Sequence, residues 1–302
     1  MRLRPPRDDD FQAMLEVLNA AARAADGEDD YSADELRTWL SSPKVEPERD
    51  VRVVEEEGRL IGYADVDPQG EDPVTWWCDV RVHPDADADA VVPELVKWLE
   101  ERTGDGRLRV WTPSKVRAVA EAYERLGLEP VRHSFRMAIE FEGEPDPPAW
   151  PAGISVDTFE PGQERAVYDA FRETWLDTWA PEEEPYDEWV HWTVEREGFD
   201  PALWFIARDG DQIAGFSLCR PSETRPDTGF VNLLGVRRPW RRRGLGEALL
   251  RHSFVQLYGR GFPRVALGVD AGSPTGATRL YERVGMEVVR RLDFYEKELG
   301  GR

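Results

Sequence analysis

The sequence predicts an α/β fold built twice in tandem, each copy a mixed, mostly antiparallel sheet flanked by helices. Three observations predict it: an internal repeat, a proline-rich break between its copies, and one order of strands and helices running through both. In the repeat, Ala122-Tyr123-Glu124-Arg125-Leu126-Gly127-Leu128 matches Leu280-Tyr281-Glu282-Arg283-Val284-Gly285-Met286 at an offset of 158 residues. Upstream, Leu60-Ile61-Gly62-Tyr63-Ala64 parallels Ile213-Ala214-Gly215-Phe216-Ser217 at an offset of 153. Similar offsets in the same order indicate a duplicated unit, and 302 residues is about two domains' worth of chain. Glu142-Gly143-Glu144-Pro145-Asp146-Pro147-Pro148 continues neither helix nor strand. It sets a linker at about 143–151, with domains at 1–142 and 152–302.

Each copy opens with a short strand (Arg2–Arg4; Ile154–Thr158). Apolar residues at helical spacing follow, over Phe11–Ala25 and Ser32–Leu40 in the first copy and over 163–179 and 186–197 in the second. Two alternating runs then form a hairpin in each: Val51–Glu56 with Leu60–Asp67, and Leu203–Arg208 with Gln212–Cys219. Glu57-Gly58 and Gly210-Asp211 supply the turns. A fourth strand (Trp76–Val82; Phe230–Val236) leads into a helix (Val91–Arg102; Leu245–Gly259). A fifth strand, a further helix (Val116–Arg125; Gly276–Arg283) and closing strands complete the pattern.

Composition narrows the function. Sixty acids against 39 bases give a net charge of −21, which argues against nucleic acid as a partner because such binding rests on neutralising phosphates. No apolar run reaches the ~20 residues of a membrane span, and Met1-Arg2-Leu3-Arg4-Pro5 runs into acidic residues without an apolar signal region. Cys78 and Cys219 form no disulfide framework, and clustered metal ligands are missing, so no metal is implied and a reducing cytoplasm is expected. The charge is uneven: residues 236–302 carry 14 bases against 7 acids. A basic segment in an acidic chain suits an anionic ligand.

That segment contains Leu233-Leu234-Gly235-Val236-Arg237-Arg238-Pro239-Trp240-Arg241-Arg242-Arg243-Gly244-Leu245-Gly246-Glu247-Ala248. An apolar strand runs into an arginine- and glycine-rich turn, and an apolar-periodic helix starts at once. Backbone N–H groups of such a turn, with the helix dipole, make an anion cradle. The two glycines let a phosphate approach the backbone.

Arg241-x-x-Gly244-x-Gly246 resembles the pyrophosphate loop of the GNAT superfamily of acyl-CoA-dependent N-acyltransferases. Ala277-Thr278-Arg279-Leu280-Tyr281-Glu282-Arg283-Val284-Gly285-Met286 is similar to that superfamily's Ala-x-x-Leu-Tyr segment. The resemblance covers 154–298 and, more weakly, 1–141. It implies acetyl-CoA as co-substrate and an amine as acceptor, which the acidic residues Glu173, Asp177 and Glu182-Glu183-Glu184 lead one to expect to be small and cationic. It also implies that Leu234 and Val236 offer backbone groups to the pantetheine arm and acetyl carbonyl. Arg241, Arg242, Arg243, Gly244, Leu245 and Gly246 would hold the pyrophosphate, Ser273 would contact the cofactor where the family often has Asn, and Tyr281 would protonate the departing thiolate. Acetylation of a protein N-terminus or lysine, or acyl-CoA binding without catalysis, are the alternatives.

The first copy has His83-Pro84-Asp85-Ala86-Asp87-Ala88-Asp89-Ala90 where the second has its loop. Three aspartates without glycine would repel a pyrophosphate, so residues 1–142 are expected to be non-catalytic and Tyr123 structural. Glu173 and Asp177 are candidates to relay the amine's proton through water, and Glu182-Glu183-Glu184 to attract a cation. Trp175, Trp179, Trp189, Trp192 and Tyr186 are expected to be mostly core, and His191 and His252 structural.

Overall fold

The computed structural model describes residues 1–69, 74–178, 184–196, 198–273 and 276–300. It divides into two compact units: Met1–His133 with Arg291–Arg302, and Ser134–Arg290. The units therefore do not part at the proline-rich segment, whose end is packed: Trp150 rests on a cluster of Ala207, Ala214, Leu245 and Leu249. The division falls instead inside the long strands Glu129–Glu140 and Glu287–Leu299. Each unit is completed by a strand from the other half of the chain.

In the first unit an antiparallel ladder runs Arg2–Arg4, Val51–Glu56, Arg59–Asp65, Val80–Val82. Glu57 and Gly58, with φ of 51° and 80°, close the hairpin as a two-residue turn whose twist matches that of the strands. Thr75–Cys78 pairs in parallel with Gly106–Pro113, which pairs antiparallel with Leu292–Leu299. Four α-helices are described here: Phe11–Asp26, Ala33–Leu40, Ala88–Thr103 and Arg117–Arg125, besides a single turn at Pro47–Asp50. The second of them starts at a capping box, in which the Glu35 N–H donates to Ser32 Oγ at 2.9 Å and the Ser32 N–H to Glu35 Oε2 at 3.1 Å. The predicted strand Trp76–Val82 is interrupted at Asp79, whose backbone carbonyl accepts from the Asp65 N–H at 3.1 Å.

The second unit repeats this plan. Ile154–Thr158, Trp204–Asp209, Gln212–Pro221 and Thr228–Val236 are antiparallel neighbours. Thr228–Val231 pairs in parallel with Arg264–Leu267. The strand Arg264–Asp270 pairs in turn with Ser134–Glu140. Helices Glu164–Trp175, Tyr186–Thr193, Leu245–Gly259 and Ala277–Arg283 cover the sheet. The first two are shorter than predicted, and Trp179, Glu182 and Glu183 lie outside the described residues. Trp189 is 1% exposed in a core cluster with Tyr168, Phe171 and Trp204, and Trp175 and Tyr186 pack against it. His252 sits between Trp150 and Phe205. Both cysteines are free and buried.

Candidate active site

The site begins where two parallel strands diverge. Pairing between Thr228–Val236 and Arg264–Asp270 stops at Val231↔Leu267, so the second half of the longer strand loses that neighbour. Its other neighbour stays: Leu234 faces Ser217 and Val236 faces Gly215. The Arg237 N–H donates to the Ala214 carbonyl at 3.0 Å, which fixes the parity of the antiparallel ladder. Residues alternate along such a ladder, so the backbone groups of Leu234 and Val236 turn away from the hairpin and toward the divergence. The Val236 carbonyl accepts from Arg241 Nε at 2.8 Å.

The loop follows directly. Arg238–Trp240 makes one 3₁₀ turn, with Trp240 buried and its indole N–H donating to Asp209 Oδ2 at 2.8 Å. Arg242 takes a left-handed backbone, φ 59°, and Gly244 another, φ 83°. Gly244 then stands at the N-cap of Leu245–Gly259 and offers no side chain to the helix end. The first N–H groups of a helix have no partner in the helix itself, and here they open on the arginine turn. The predicted cradle residues Arg241, Arg242, Arg243, Gly244, Leu245 and Gly246 are thus contiguous around one helix N-terminus. Arg242 and Arg243 are exposed and have no ion-pair partner among the described residues.

The other three arginines are engaged. Glu173 takes Arg237 Nε at 2.7 Å and the Arg238 backbone N–H at 3.2 Å. Asp177 takes Arg238 through two nitrogens, at 3.1 and 2.7 Å, and Arg241 Nη2 at 2.6 Å. Arg238, with Arg241 beside it, holds the Asp177 carboxyl below the usual carboxylate range. A carboxylate stabilised as the anion is a poor proton acceptor. Glu173 and Asp177, expected to relay the amine's proton, are instead both paired with arginines of this turn. Sequence pattern gave no sign of this pairing, because the partners are more than 60 residues apart.

Tyr281 is 7% exposed, on the helix Ala277–Arg283, among Leu250, Val284 and Met286. Burial pushes its hydroxyl up to about 12, so it keeps its proton through neutral pH. Ser273 lies in the turn after Arg264–Asp270, where its N–H donates to the Asp270 carbonyl at 3.1 Å and its carbonyl accepts from the Gly276 N–H at 3.0 Å. Pro274 is outside the described residues.

The first unit has the same strand divergence after Cys78↔Val110, but different contents. Arg81 is buried there, 3.6 Å from the Trp111 ring centre and 2.6 Å from Asp79. Tyr31 donates to the other Asp79 oxygen at 2.6 Å. Tyr123 is fully buried nearby, and burial raises its hydroxyl's pKa strongly. The helix Ala88–Thr103 is capped by Asp87, whose carboxylate accepts from the Asp89 N–H at 3.0 Å. That carboxylate sits at the helix end that Gly244 leaves uncapped in the second unit.

A strand divergence opens here onto an uncapped helix end behind an arginine- and glycine-rich turn, with a buried tyrosine one helix on, which is the arrangement the resemblance to acyl-CoA-dependent acyltransferases implies. The sequence profile of the Acetyltransferase (GNAT) family matches the chain twice, over residues 11–128 and 165–286, and the chain belongs to that family. It is an acetyl-CoA-dependent N-acyltransferase. The tandem arrangement resembles mycothiol synthase. In keeping with that, the chain is 34% identical over 287 residues to the mycothiol acetyltransferase of Geodermatophilus obscurus, covering 90% of this chain and 89% of the relative. To the mycothiol acetyltransferase of Streptomyces coelicolor it is 31% identical over 279 residues, covering 90% and 87%. Among solved structures, a GCN5-related N-acetyltransferase from Sphaerobacter thermophilus superposes with a TM-score of 0.80 at 32% identity, over 100% of this chain and 96% of that one. A tandem GNAT protein of the clavulanic acid biosynthesis pathway shares the fold, with a TM-score of 0.77 at 17% identity and coverage of 100% and 99%.

Proposed function

We propose that the second unit transfers the acetyl group of acetyl-CoA to the primary amine of a small molecule, and that the first unit is a non-catalytic copy. The observation that carries this is the contrast between the two helix ends: Gly244 leaves one open to an anion, while Asp87 fills the other with its own carboxylate.

The backbone N–H groups of the turn Arg241–Gly246 receive the pyrophosphate, helped by the charges of Arg242 and Arg243. Backbone groups of Leu234 and Val236 line the pantetheine arm, Ser273 adds a polar contact, and the acetyl carbonyl points at a strand N–H that stabilises the developing oxyanion. Acetyl-CoA supplies an activated thioester. After its ammonium proton has passed to solvent, the neutral amine forms the new C–N bond to the acetyl carbon and the C–S bond breaks. Tyr281 hands its proton to the leaving thiolate while the amine's surplus proton passes to water, from which the tyrosinate is reprotonated. The relatives named mycothiol acetyltransferase support a small-molecule acceptor. An amine arrives as an ammonium ion at neutral pH, and a chain with a net charge of −21 favours its approach.

The test is release of free thiol from acetyl-CoA with a panel of small-molecule amines, set against a lysine-bearing peptide. Turnover with a small amine is expected. Turnover with the peptide alone would make the protein a protein acetyltransferase, and CoA binding without any turnover a binding protein.

A further inference from the structure

Two acids and three arginines join the helix Glu164–Trp175 and the turn after it to the loop that starts at Arg237. Glu173 and Asp177 are one helical turn apart, the first on Glu164–Trp175 and the second on the turn that continues it, where the Asp177 N–H donates to the Thr174 carbonyl at 3.3 Å. They reach the loop because helix and strand touch closely: a Cβ on Gly235 would lie 2.8 Å from Thr174 Oγ1 and 2.4 Å from Phe216 Cζ. A side chain at 235 would force the Phe216 ring and the Thr174 side chain to shift.

The contacts are arranged around one strained position. Arg242 has a left-handed backbone without being glycine, and such a residue persists only where its surroundings over-determine it. Its predecessor, Arg241, is pinned twice, by the Val236 carbonyl at 2.8 Å and by Asp177 at 2.6 Å. Arg238 is held by Asp177 through its guanidinium and by Glu173 through its backbone N–H. Arg237 is held by Glu173 and by the Ile213 carbonyl at 3.0 Å. The acids thus fix the backbone on the N-terminal side of Arg242 before any ligand arrives, and they leave Arg242 and Arg243 facing solvent.

We propose that Glu173 and Asp177 are positioning residues that hold the cofactor loop in its pyrophosphate-binding shape. This rests on the function proposed above and names how its anion site is built. The contrary arrangement is that Asp177 competes with the pyrophosphate for Arg238 and Arg241. The two differ in sign. A positioning acid, once neutralised, weakens coenzyme A; a competing acid, once neutralised, tightens it.

Calorimetry with coenzyme A on the whole chain separates them, comparing wild type, Asp177→Asn, Glu173→Gln and the charge-restoring Asp177→Glu. Wild-type binding tests the proposed function itself, and its absence would remove that function and this inference together. Given wild-type binding, Asp177→Asn is expected to weaken coenzyme A by about tenfold, the scale of losing support for one strained residue. Asp177→Glu is expected to recover part of that. Acetyl-pantetheine has no pyrophosphate, so its kcat/KM with an amine acceptor should stay within about twofold in Asp177→Asn, whereas general damage to the unit would lower both. Tighter coenzyme A binding in Asp177→Asn, or an equal loss with acetyl-pantetheine, overturns the proposal.

Discussion

Asp65 and Asp79, both buried in the first unit, are hydrogen-bonded to each other: the Asp79 backbone N–H donates to Asp65 Oδ1 at 3.1 Å. The two carboxyls are not equivalent. Asp79 has Arg81 at 2.6 Å and the Tyr31 hydroxyl at 2.6 Å to stabilise its charge. Asp65 has the Tyr63 hydroxyl at 2.7 Å and no cation among the described residues. Burial, and then the neighbouring Asp79 charge, push Asp65 up to about 8, so it holds a proton at neutral pH.

This sets a pH dependence of stability. An aspartate in the unfolded chain titrates near 3.8. Between that pH and about 8 the folded unit keeps a proton that the unfolded chain has released, so stability declines as pH rises, by about 1.4 kcal/mol per unit for one such group. Below the window both states are protonated; above it both are ionised and the loss is complete. Asp65→Asn removes the titration and keeps an acceptor for the Asp79 N–H. Melting curves at pH 5, 7 and 9 should show the wild type losing ground on the variant across that range. Parallel curves would mean that Asp65 is ionised in the fold.

That polar cluster was not legible in the sequence. Asp79 and Arg81 read as ordinary alternating positions of one strand, and only the interruption at Asp79 and the packing of Trp111 bring them together. The exchange of closing strands was hidden for a similar reason. Residues 134–140 and 291–299 carry a strand pattern, but pattern does not name the partner, and the chosen neighbours lie more than a hundred residues away. The arginine- and glycine-rich turn was legible because its signals are local: turn, glycine and helix start all lie between Arg237 and Leu245. What the sequence did not disclose there was the pairing of its arginines with Glu173 and Asp177.

Coenzyme A should bind once per chain, and Gly244 should decide it. A Cβ at Gly244 would meet nothing within 4 Å, so sterics alone do not exclude a side chain. Its φ of 83° does oppose one, at about 1 kcal/mol. Gly244→Ala measures that strain, and Gly244→Asp adds a negative charge at the helix end proposed to receive the pyrophosphate. Calorimetry should show a modest loss for the alanine and collapse of affinity for the aspartate. Equal losses in the two would assign the effect to backbone strain. Two molecules bound per wild-type chain would show that Asp87 does not close the first unit's helix end.

The acceptor should be drawn in by charge. Attraction between an ammonium ion and an anionic protein is screened over ~8–10 Å at ordinary salt. Raising salt should therefore lower kcat/KM for a cationic amine and leave a neutral acceptor's value nearly unchanged. Since Glu173 and Asp177 are occupied by arginines, the effect comes from the chain's overall charge, and neutralising either acid should not abolish the salt dependence. An anionic best substrate would contradict this account.

Tyr281→Phe tests the proton donor. The ring packs with Leu250, Val284 and Met286 and is kept by phenylalanine, while the hydroxyl has no hydrogen-bond partner among the described residues, so the melting temperature should hold. The hydroxyl, pushed up to about 12 by burial, is always protonated at neutral pH and is available to a thiolate as it leaves. A thiolate with a pKa near ~8.5 can also depart unaided, so the proton helps without being obligatory. Loss of the donor should lower kcat by ~10²–10³, within the usual range for a general acid. Coenzyme A affinity should barely move, because the loop Arg241–Gly246 is untouched. The rate must be read where chemistry limits it, which a burst-free time course with a slow amine acceptor establishes. Wild-type kcat under that condition would leave Tyr281 as a packing residue only, in a core position like that of Tyr123 in the first unit.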